Sequence, residues 1–348
     1  MDNGIRKRDI SMDALRIVAA VAVILLHASA GYFNCPVSSA QWMVANVYNS
    51  ATRWCVPVFV MISGAFLLQK EIPVKLLYTK YIKHLVVLLL SWNAIYNIPR
   101  LREFPSSLSD VVACFLSPGK IHLWFLYMLI GVYVAIPFLK KIVDGGLTKY
   151  LLCLWLVFGI ALTGVDRGAL FGERFFFLDY YVMRFSFSMN FVGYFVLGYY
   201  LYREAALSKK MRQLIYALGI IGYMGMVVGT YFLSLQRGGL HEFFYDNLFI
   251  LNVFTSVAVF VLFRSTPPES FCRRNEPKMS RLITTCSDLS LGVYLIHLVP
   301  LRLSYHAVKF FGLHAVVEIP MRVLLTVPVC FFVIWLMRKI PVLRFFVK

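Results

Sequence analysis

Arg16 and His27 stand ten intervening residues apart in an apolar run, and their types and spacing suit them to chemistry. Eleven positions at about 100° each make three turns and roughly 20° more, so both side chains project from one helical face, about 16 Å apart along the axis. Asp13, three residues before Arg16, falls on nearly the same face and offers a carboxylate to hold the guanidinium. A guanidinium is always charged and binds anions, whereas an imidazole exchanges protons near neutral pH. The stripe thus has an anion site at one end and a proton-transfer site at the other. Its length is comparable to the extended pantetheine arm of coenzyme A, which carries phosphates at one end and the thioester at the other. A purely structural reading stands beside this one: Arg16 snorkels to an interface and pairs with Asp13, while His27 hydrogen-bonds a neighbouring helix. The shared face favours function, because ionisable groups inside a membrane tend to face a cavity or pathway.

Four further stretches carry polar groups at helical spacing. Within Val56 to Phe66, Ser63 and Gly64 let two backbones approach closely. Lys80 and Lys83, followed by His84, are either ordinary basic flanking residues or point charges that capture phosphate. His122 and Trp124 open an aromatic run that also fits an interfacial belt. Ser290, Tyr294 and His297 follow one another at spacings of four and three, which makes a polar stripe for a helix-to-helix ladder or for a substrate.

The elements that must position these residues follow from composition. Of 348 residues, 60% are hydrophobic, 16% aromatic and only 15% charged, with a mean hydropathy of +0.72. A soluble core burying so much apolar surface would lack the polar surface to cover itself. Runs of about 20 apolar residues, the length that crosses a bilayer, recur at roughly 12–33, 51–69, 81–98, 121–139, 149–165, 185–202, 213–234, 244–263, 287–308 and 319–337. The expectation is an all-α, polytopic integral membrane bundle of about ten transmembrane helices. It forms a single membrane-embedded domain over residues 1–348, with loops too short for a separate soluble catalytic domain.

The net charge of +18, from 35 Lys and Arg against 17 Asp and Glu, would suggest nucleic acid in a soluble protein. Here it reports orientation. With the N-terminus inside, 23 of the 35 bases fall in inner segments, 11 in outer ones, and Arg16 lies within the first span. The acidic residues divide 9 to 8, so bases alone carry the asymmetry, as the positive-inside rule requires. Both termini are therefore expected to be cytoplasmic, with the basic loops against anionic membrane lipids and no nucleic-acid partner. Arg6-Lys7-Arg8, the apolar run from Ile17 to Leu26, and Ala28-Ser29-Ala30 imitate a cleavable signal peptide. A retained first span is preferred, because cleavage would upset the inside-outside alternation.

Among seven cysteines, Cys153 and Cys330 fall within spans and Cys272 and Cys286 in an inner loop. Cys35, Cys55 and Cys114 fall outside, where one pairing is open to them. No CxxC spacing or neighbouring His cluster occurs, so no metal is expected, and no Walker-type or GxGxxG loop is present. The glycines from Gly219 to Gly229 have the spacing of close helix packing.

Asp13-Ala14-Leu15-Arg16 with His27, Pro57 to Phe66 around Ser63-Gly64, Lys80 and Lys83, His122 to Leu126, and Gly292 to His297 together resemble the acyltransferase type 3 family of integral membrane acyltransferases. The resemblance covers residues 13–297, in family order. It implies transfer of an acyl group, usually acetyl from cytosolic acetyl-CoA, to a hydroxyl of a cell-surface or lipid-linked glycan at a bacterial inner membrane. Acetyl-CoA would act as co-substrate, with no permanently bound cofactor. Arg16 and His27 match the family's first-span pair. The family often shows Arg where Lys80 and Lys83 stand, so charge is kept but bidentate phosphate binding is not. No fused hydrolase-like domain of the kind some members carry is read in the chain, so the membrane unit is expected to complete the transfer.

On that reading His27 acts as general base, or alternatively carries the acyl group itself. Arg16, Lys80 and Lys83 meet coenzyme A phosphates. His122, or Tyr294 with His297, orients the acceptor or steadies an oxyanion. A transporter of a glycan or small molecule is the rival from another class, since a polar stripe through a bundle also describes a permeation path. A sensor or scaffold with basic loops is a third reading, and it leaves Arg16 and His27 unexplained.

Overall fold

The computed structural model describes residues 8–101, 120–161, 191–271 and 277–347, with positions 108, 112 and 115, and every regular element among them is helical. Arg6, Lys7, Arg273, Arg274, Lys348, Cys114 and Cys272 lie outside the described residues, as do the end of the fifth expected span and the start of the sixth.

The principal helices begin with α1 (Ile10–Ala30), α2 (Ala40–Ser50), α3 (Cys55–Leu67), α4 (Lys83–Leu101), α5 (Trp124–Val134), α6 (Ile136–Asp144) and α7 (Thr148–Leu154). Helix α8 covers residues 191–199. The remainder are α9 (Lys209–Arg237), α10 (Ile250–Ser265), α11 (Pro277–Ile296), α12 (Leu298–Val308) and α13 (Ala315–Lys339).

Local chemistry sets their ends. The side chains of Asp9, Ser39 and Ser208 accept from the backbone N–H groups of Met12, Trp42 and Met211 and so cap α1, α2 and α9. Each cap stabilises its helix by about 1 kcal/mol. Gly238, at φ +73°, closes α9 in the left-handed conformation that glycine tolerates. Prolines mark the breaks. Pro57, Pro137 and Pro300 lack the N–H that would bond the carbonyl four residues back. They follow the α2–α3 turn at residues 51–54, the 50° bend between α5 and α6, and the 73° bend between α11 and α12.

Five helical stretches are long and apolar enough to span a membrane: Ile10–Asn34, Ala40–Leu67, Lys209–Arg237, Phe243–Ser265 and Ala315–Lys339. Counting each bent pair as one span raises the number to seven. The described residues thus give five to seven spans where the hydropathy runs suggest about ten. The second span begins at Ala40 and takes in a helix read from sequence as an outer loop. Thr148–Ala161 is a shorter apolar helix.

The chain forms two compact units. The first comprises Met1–Phe59, Leu207–His241 and Phe254–Val333. In it α1 packs against α2, α11 and α12, and α2 packs against α9. Asn49 Nδ2 donates to the Leu26 carbonyl at 3.0 Å, and Asn46 Nδ2 to the Val227 carbonyl at 2.9 Å. A Cβ on Gly219 would lie 2.4 Å from the Ala258 Cβ, so the expected close packing holds there. Pro320 leaves the Val316 carbonyl without its helical donor, and the Tyr48 hydroxyl fills that role at 3.0 Å. Helices α9 and α13 leave Ile220, Phe232 and Leu324 63, 63 and 74% exposed. Apolar faces of that extent suit hydrocarbon, not water.

The second unit comprises Val60–Ala206, Glu242–Val253 and Ile334–Lys348. Its tightest feature is a reciprocal pair of glycines. A Cβ on Gly64 would lie 1.8 Å from the Phe195 carbonyl oxygen, and one on Gly198 2.0 Å from that of Met61. Backbone therefore meets backbone where α3 crosses α8, which is the close approach expected of the Ser63-Gly64 pair. Asn93 Nδ2 donates to the Tyr127 hydroxyl at 2.9 Å and ties α4 to α5. Lys140 Nζ reaches Glu71 at 3.0 Å.

Candidate active site

Helix α1 runs unbroken for 21 residues through Asp13, Arg16 and His27. The common face and the axial separation of about 16 Å between Arg16 and His27 therefore hold. Both side chains are half-buried.

At the start of α1 the buried Asp13 carboxylate accepts from Arg8 Nε at 2.5 Å, Arg8 Nη2 at 3.2 Å and the Ser287 hydroxyl at 2.6 Å. Arg8 also bonds Asp288, at 2.6 and 3.2 Å. Burial works against the Arg8 charge, but the hydrogen bonds to Asp288 and Asp13 outweigh it and hold the guanidinium above its ordinary range. Where the sequence pairs Asp13 with Arg16, the structure engages it with Arg8 and Ser287. The carboxylate thereby fixes α1 to α11. Charge-assisted bonds of this kind are worth about 1.5–3 kcal/mol, whereas the more exposed Arg8–Asp288 pair adds less than about 1 kcal/mol.

Toward the other end of α1, the rings of His27 and His297 lie 5.0 Å apart and are tilted by 35°. His297 occupies the corner between α11 and α12 and is fully buried. Its Nδ1 lies 2.6 Å from the Tyr294 carbonyl oxygen. A carbonyl only accepts, so Nδ1 carries the hydrogen and Nε2 is the acceptor of the neutral ring. The Tyr294 ring is buried beside it, 6.2 Å between centroids. The packing of α1 on α11 thus brings the sequence-predicted His297 to His27, with Tyr294 beside His297. Ser290, one turn earlier, is buried and donates to the Ser287 carbonyl at 2.8 Å.

Sequence reasoning missed the third side of this cluster. Arg53 lies close enough to act electrostatically on the His27 ring. Its Nε donates to Asn49 Oδ1 at 2.7 Å, and Asn49 Nδ2 in turn donates to Leu26 O and Ser29 Oγ, both at 3.0 Å. The relay places a guanidinium on the α2–α3 turn beside α1. Asn46, Asn49 and Arg53 recur at three- and four-residue spacing, a polar stripe hidden by reading residues 34–50 as a loop. Arg322 also reaches α1, donating from Nη1 to the Ala28 carbonyl at 3.2 Å.

Ser63, Lys80, Lys83, His122 and Trp124 belong to the second unit. Ser63 is half-buried on α3. Lys80 lies in a π-helical turn, Leu77–Ile82, and Lys83 opens the α-helix that follows it; both are exposed. Such wide turns recur at functional sites. His122 sits in a short 3₁₀ turn before α5, buried and edge-on to Tyr96 at 5.3 Å. That burial separates it from an aromatic belt at the membrane surface. Trp124 packs on Phe191 at 5.6 Å.

Cys35 and Cys55, two of the three cysteines open to pairing, are free thiols. Cys286 lies within α11 and not in a loop. Among the described residues no three His, Cys, Asp or Glu side chains gather as metal ligands.

A family model described as an acyltransferase domain matches residues 9–338, nearly the whole chain. No curated protein and no solved structure matches it significantly.

Proposed function

The chain belongs to the acyltransferase type 3 family of membrane acyltransferases, and we propose that it moves an acetyl group from cytosolic acetyl-CoA to a hydroxyl of a cell-surface or lipid-linked glycan. The observation that carries this reading is the unbroken α1, with Arg16 about 16 Å from a His27 ring that faces His297 at 5.0 Å and lies beside Arg53. That length suits the pantetheine arm, with Arg16 toward the phosphates and His27 toward the thioester. In this reading both termini face the cytoplasm, and the membrane is a bacterial inner membrane. Lys80 and Lys83 serve coenzyme A phosphates as point charges.

The reaction follows from the groups present. The acceptor hydroxyl gives its proton to the His27 imidazole as its oxygen bonds to the thioester carbonyl carbon. The carbonyl oxygen becomes an oxyanion near the Arg53 charge, which stabilises it more than the neutral ground state. The carbon–sulfur bond then breaks, and the thiolate leaves with the proton held by His27. His297, its hydrogen fixed on Nδ1, has an acceptor nitrogen at Nε2 and serves to orient the hydroxyl. Transfer through an acyl-His27 intermediate uses the same residues in two steps.

The test is acetyl transfer in membranes supplied with labelled acetyl-CoA, with surface glycans analysed by mass spectrometry. Loss of transfer in His27→Ala and Arg16→Ala at unchanged expression is expected. Full activity in both variants overturns the mechanism, and flux across liposomes without an acyl donor would instead support a transporter.

A further inference from the structure

Glu318 and Arg322, one turn apart on α13, are both more than nine-tenths buried. Oppositely charged partners at this spacing ordinarily close on one another, yet these do not. Arg322 Nη1 and Glu318 Oε1 are 4.0 Å apart, too far for a hydrogen bond. Neither Glu318 Oε1 nor Arg322 Nε has a hydrogen-bond partner among the described residues. The guanidinium is held where it is by the Ala28 carbonyl at 3.2 Å and by the Tyr305 ring, 5.1 Å from its centroid. The Tyr32 hydroxyl lies beside the Glu318 carboxylate. All of these residues belong to the first unit, and Ala28 directly follows His27 on α1.

Leaving a buried charge incompletely bonded is costly, so the open pair calls for an occupant. Arg322 Nη1 gives one hydrogen to Ala28 and keeps a second, and a group set about 2.8 Å from both Nη1 and Glu318 Oε1, which are 4.0 Å apart, bridges them with ordinary hydrogen-bond lengths. It must accept from the guanidinium and donate to the carboxylate at once. A hydroxyl does both; a carboxylate or phosphate satisfies only the arginine, and an ammonium only the glutamate. The paired charges also cancel, which leaves no net attraction for an anionic ligand.

We propose that Glu318 and Arg322 form a binding site for the hydroxyls of an uncharged saccharide, and that this site, tied to α1 through the carbonyl of the residue after His27, seats the acceptor. The role as acceptor seat rests on the acyl-transfer reading above; the saccharide site itself does not. Tyr32 and Tyr305 flank the pair with aromatic surface and one further hydroxyl.

The full-length protein in nanodiscs tests this by saturation-transfer NMR with the methyl glycosides of glucose, galactose, mannose and N-acetylglucosamine, and with the methyl glycoside of glucuronic acid. At least one neutral glycoside is expected to receive saturation from the wild-type protein, and the glucuronide less. In Glu318→Gln and Arg322→Gln the signal is lost, since removing one hydrogen bond to a charged group weakens binding about tenfold or more. The thermal shift produced by acetyl-CoA serves as the control for folding and for the donor site, and it is expected unchanged in both variants. If Arg322→Gln does not fold, the near-isosteric Glu318→Gln carries the test alone. No signal from any neutral glycoside assigns the gap to water and overturns the proposal. So does a signal that persists in a folded variant, or a glucuronide signal as strong as the neutral one. Saccharide binding without any acetyl-CoA shift sinks the acyl-transfer reading and leaves the site standing.

Discussion

His297 lies with its ring 5.0 Å from that of His27, at a corner where α11 turns by 73° into α12. Its Nδ1 is committed to the Tyr294 carbonyl at 2.6 Å, so the break in the helix fixes the tautomer of a ring beside the proposed base. His27→Ala is expected to reduce acetyl transfer by about 10²–10⁴-fold, the range for loss of a general base. His297→Ala should cost less, because it removes orientation but leaves the base in place. Rates measured with labelled acetyl-CoA at matched expression decide the order. A His297 variant more damaging than the His27 variant would transfer the role of base to His297.

Arg16 is predicted to act on the donor. Removing a guanidinium from a phosphate removes charge-assisted bonds worth about 1.5–3 kcal/mol, so Arg16→Ala should raise the acetyl-CoA KM about tenfold to a hundredfold. Arg16→Lys retains the charge without the fork and should recover part of that loss. The measurement is initial rate against acetyl-CoA concentration. A fall in kcat at constant KM would contradict a donor-binding role.

The stripe on α1 is legible in the sequence because helical periodicity alone relates Arg16 to His27, and no tertiary contact is needed to place them. Tyr294 and His297 are legible as a polar stripe on their own helix, but His297 is not legible as a neighbour of His27. That proximity depends on the packing of α1 on α11, which local spacing does not encode. Arg53 escapes because hydropathy averages over windows. The polar Gln41, Asn46 and Asn49 lower the mean between Ala40 and Ser50, so a helix that packs on α1 and α9 looks like a loop and the turn that carries Arg53 is not seen to join it. Local distance assigns Asp13 to Arg16, whereas the structure gives it a partner five residues back in Arg8 and a long-range one in Ser287.

That substitution of partners leads to a stability prediction. Asp13 is buried and accepts three hydrogen bonds, two of them from one guanidinium. Asp13→Asn keeps the shape, removes the charge and turns one acceptor into a donor facing Arg8 or Ser287. Thermal unfolding in detergent should show a clearly lowered Tm, corresponding to about 1.5–3 kcal/mol. Ser287→Ala, which removes one of the three donors and leaves the Arg8 bonds in place, should lower it less than Asp13→Asn does. Equal Tm values for wild type and Asp13→Asn would mean that this contact does not anchor α1.

The glycines offer a contrast that separates packing from backbone freedom. At Gly64 an added Cβ would meet the Phe195 carbonyl oxygen at 1.8 Å, and at Gly198 the Met61 carbonyl oxygen at 2.0 Å. Backbone cannot swing aside as a flexible side chain can, so α3 and α8 must separate to admit a methyl group. Overpacking of this kind typically costs about 1–3 kcal/mol, occasionally more. Gly31 ends α1 with ordinary right-handed angles, φ −62° and ψ −23°, and nothing lies within 4 Å of where an added methyl group would stand. There alanine restricts the unfolded chain without strain in the folded one, a gain of about 0.4–1 kcal/mol. Gly64→Ala and Gly198→Ala are therefore expected to express poorly or melt early, while Gly31→Ala melts at or slightly above the wild-type temperature. Thermal unfolding of the three purified variants checks the contrast. Tolerance of alanine at both Gly64 and Gly198 would mean that α3 and α8 do not meet backbone to backbone.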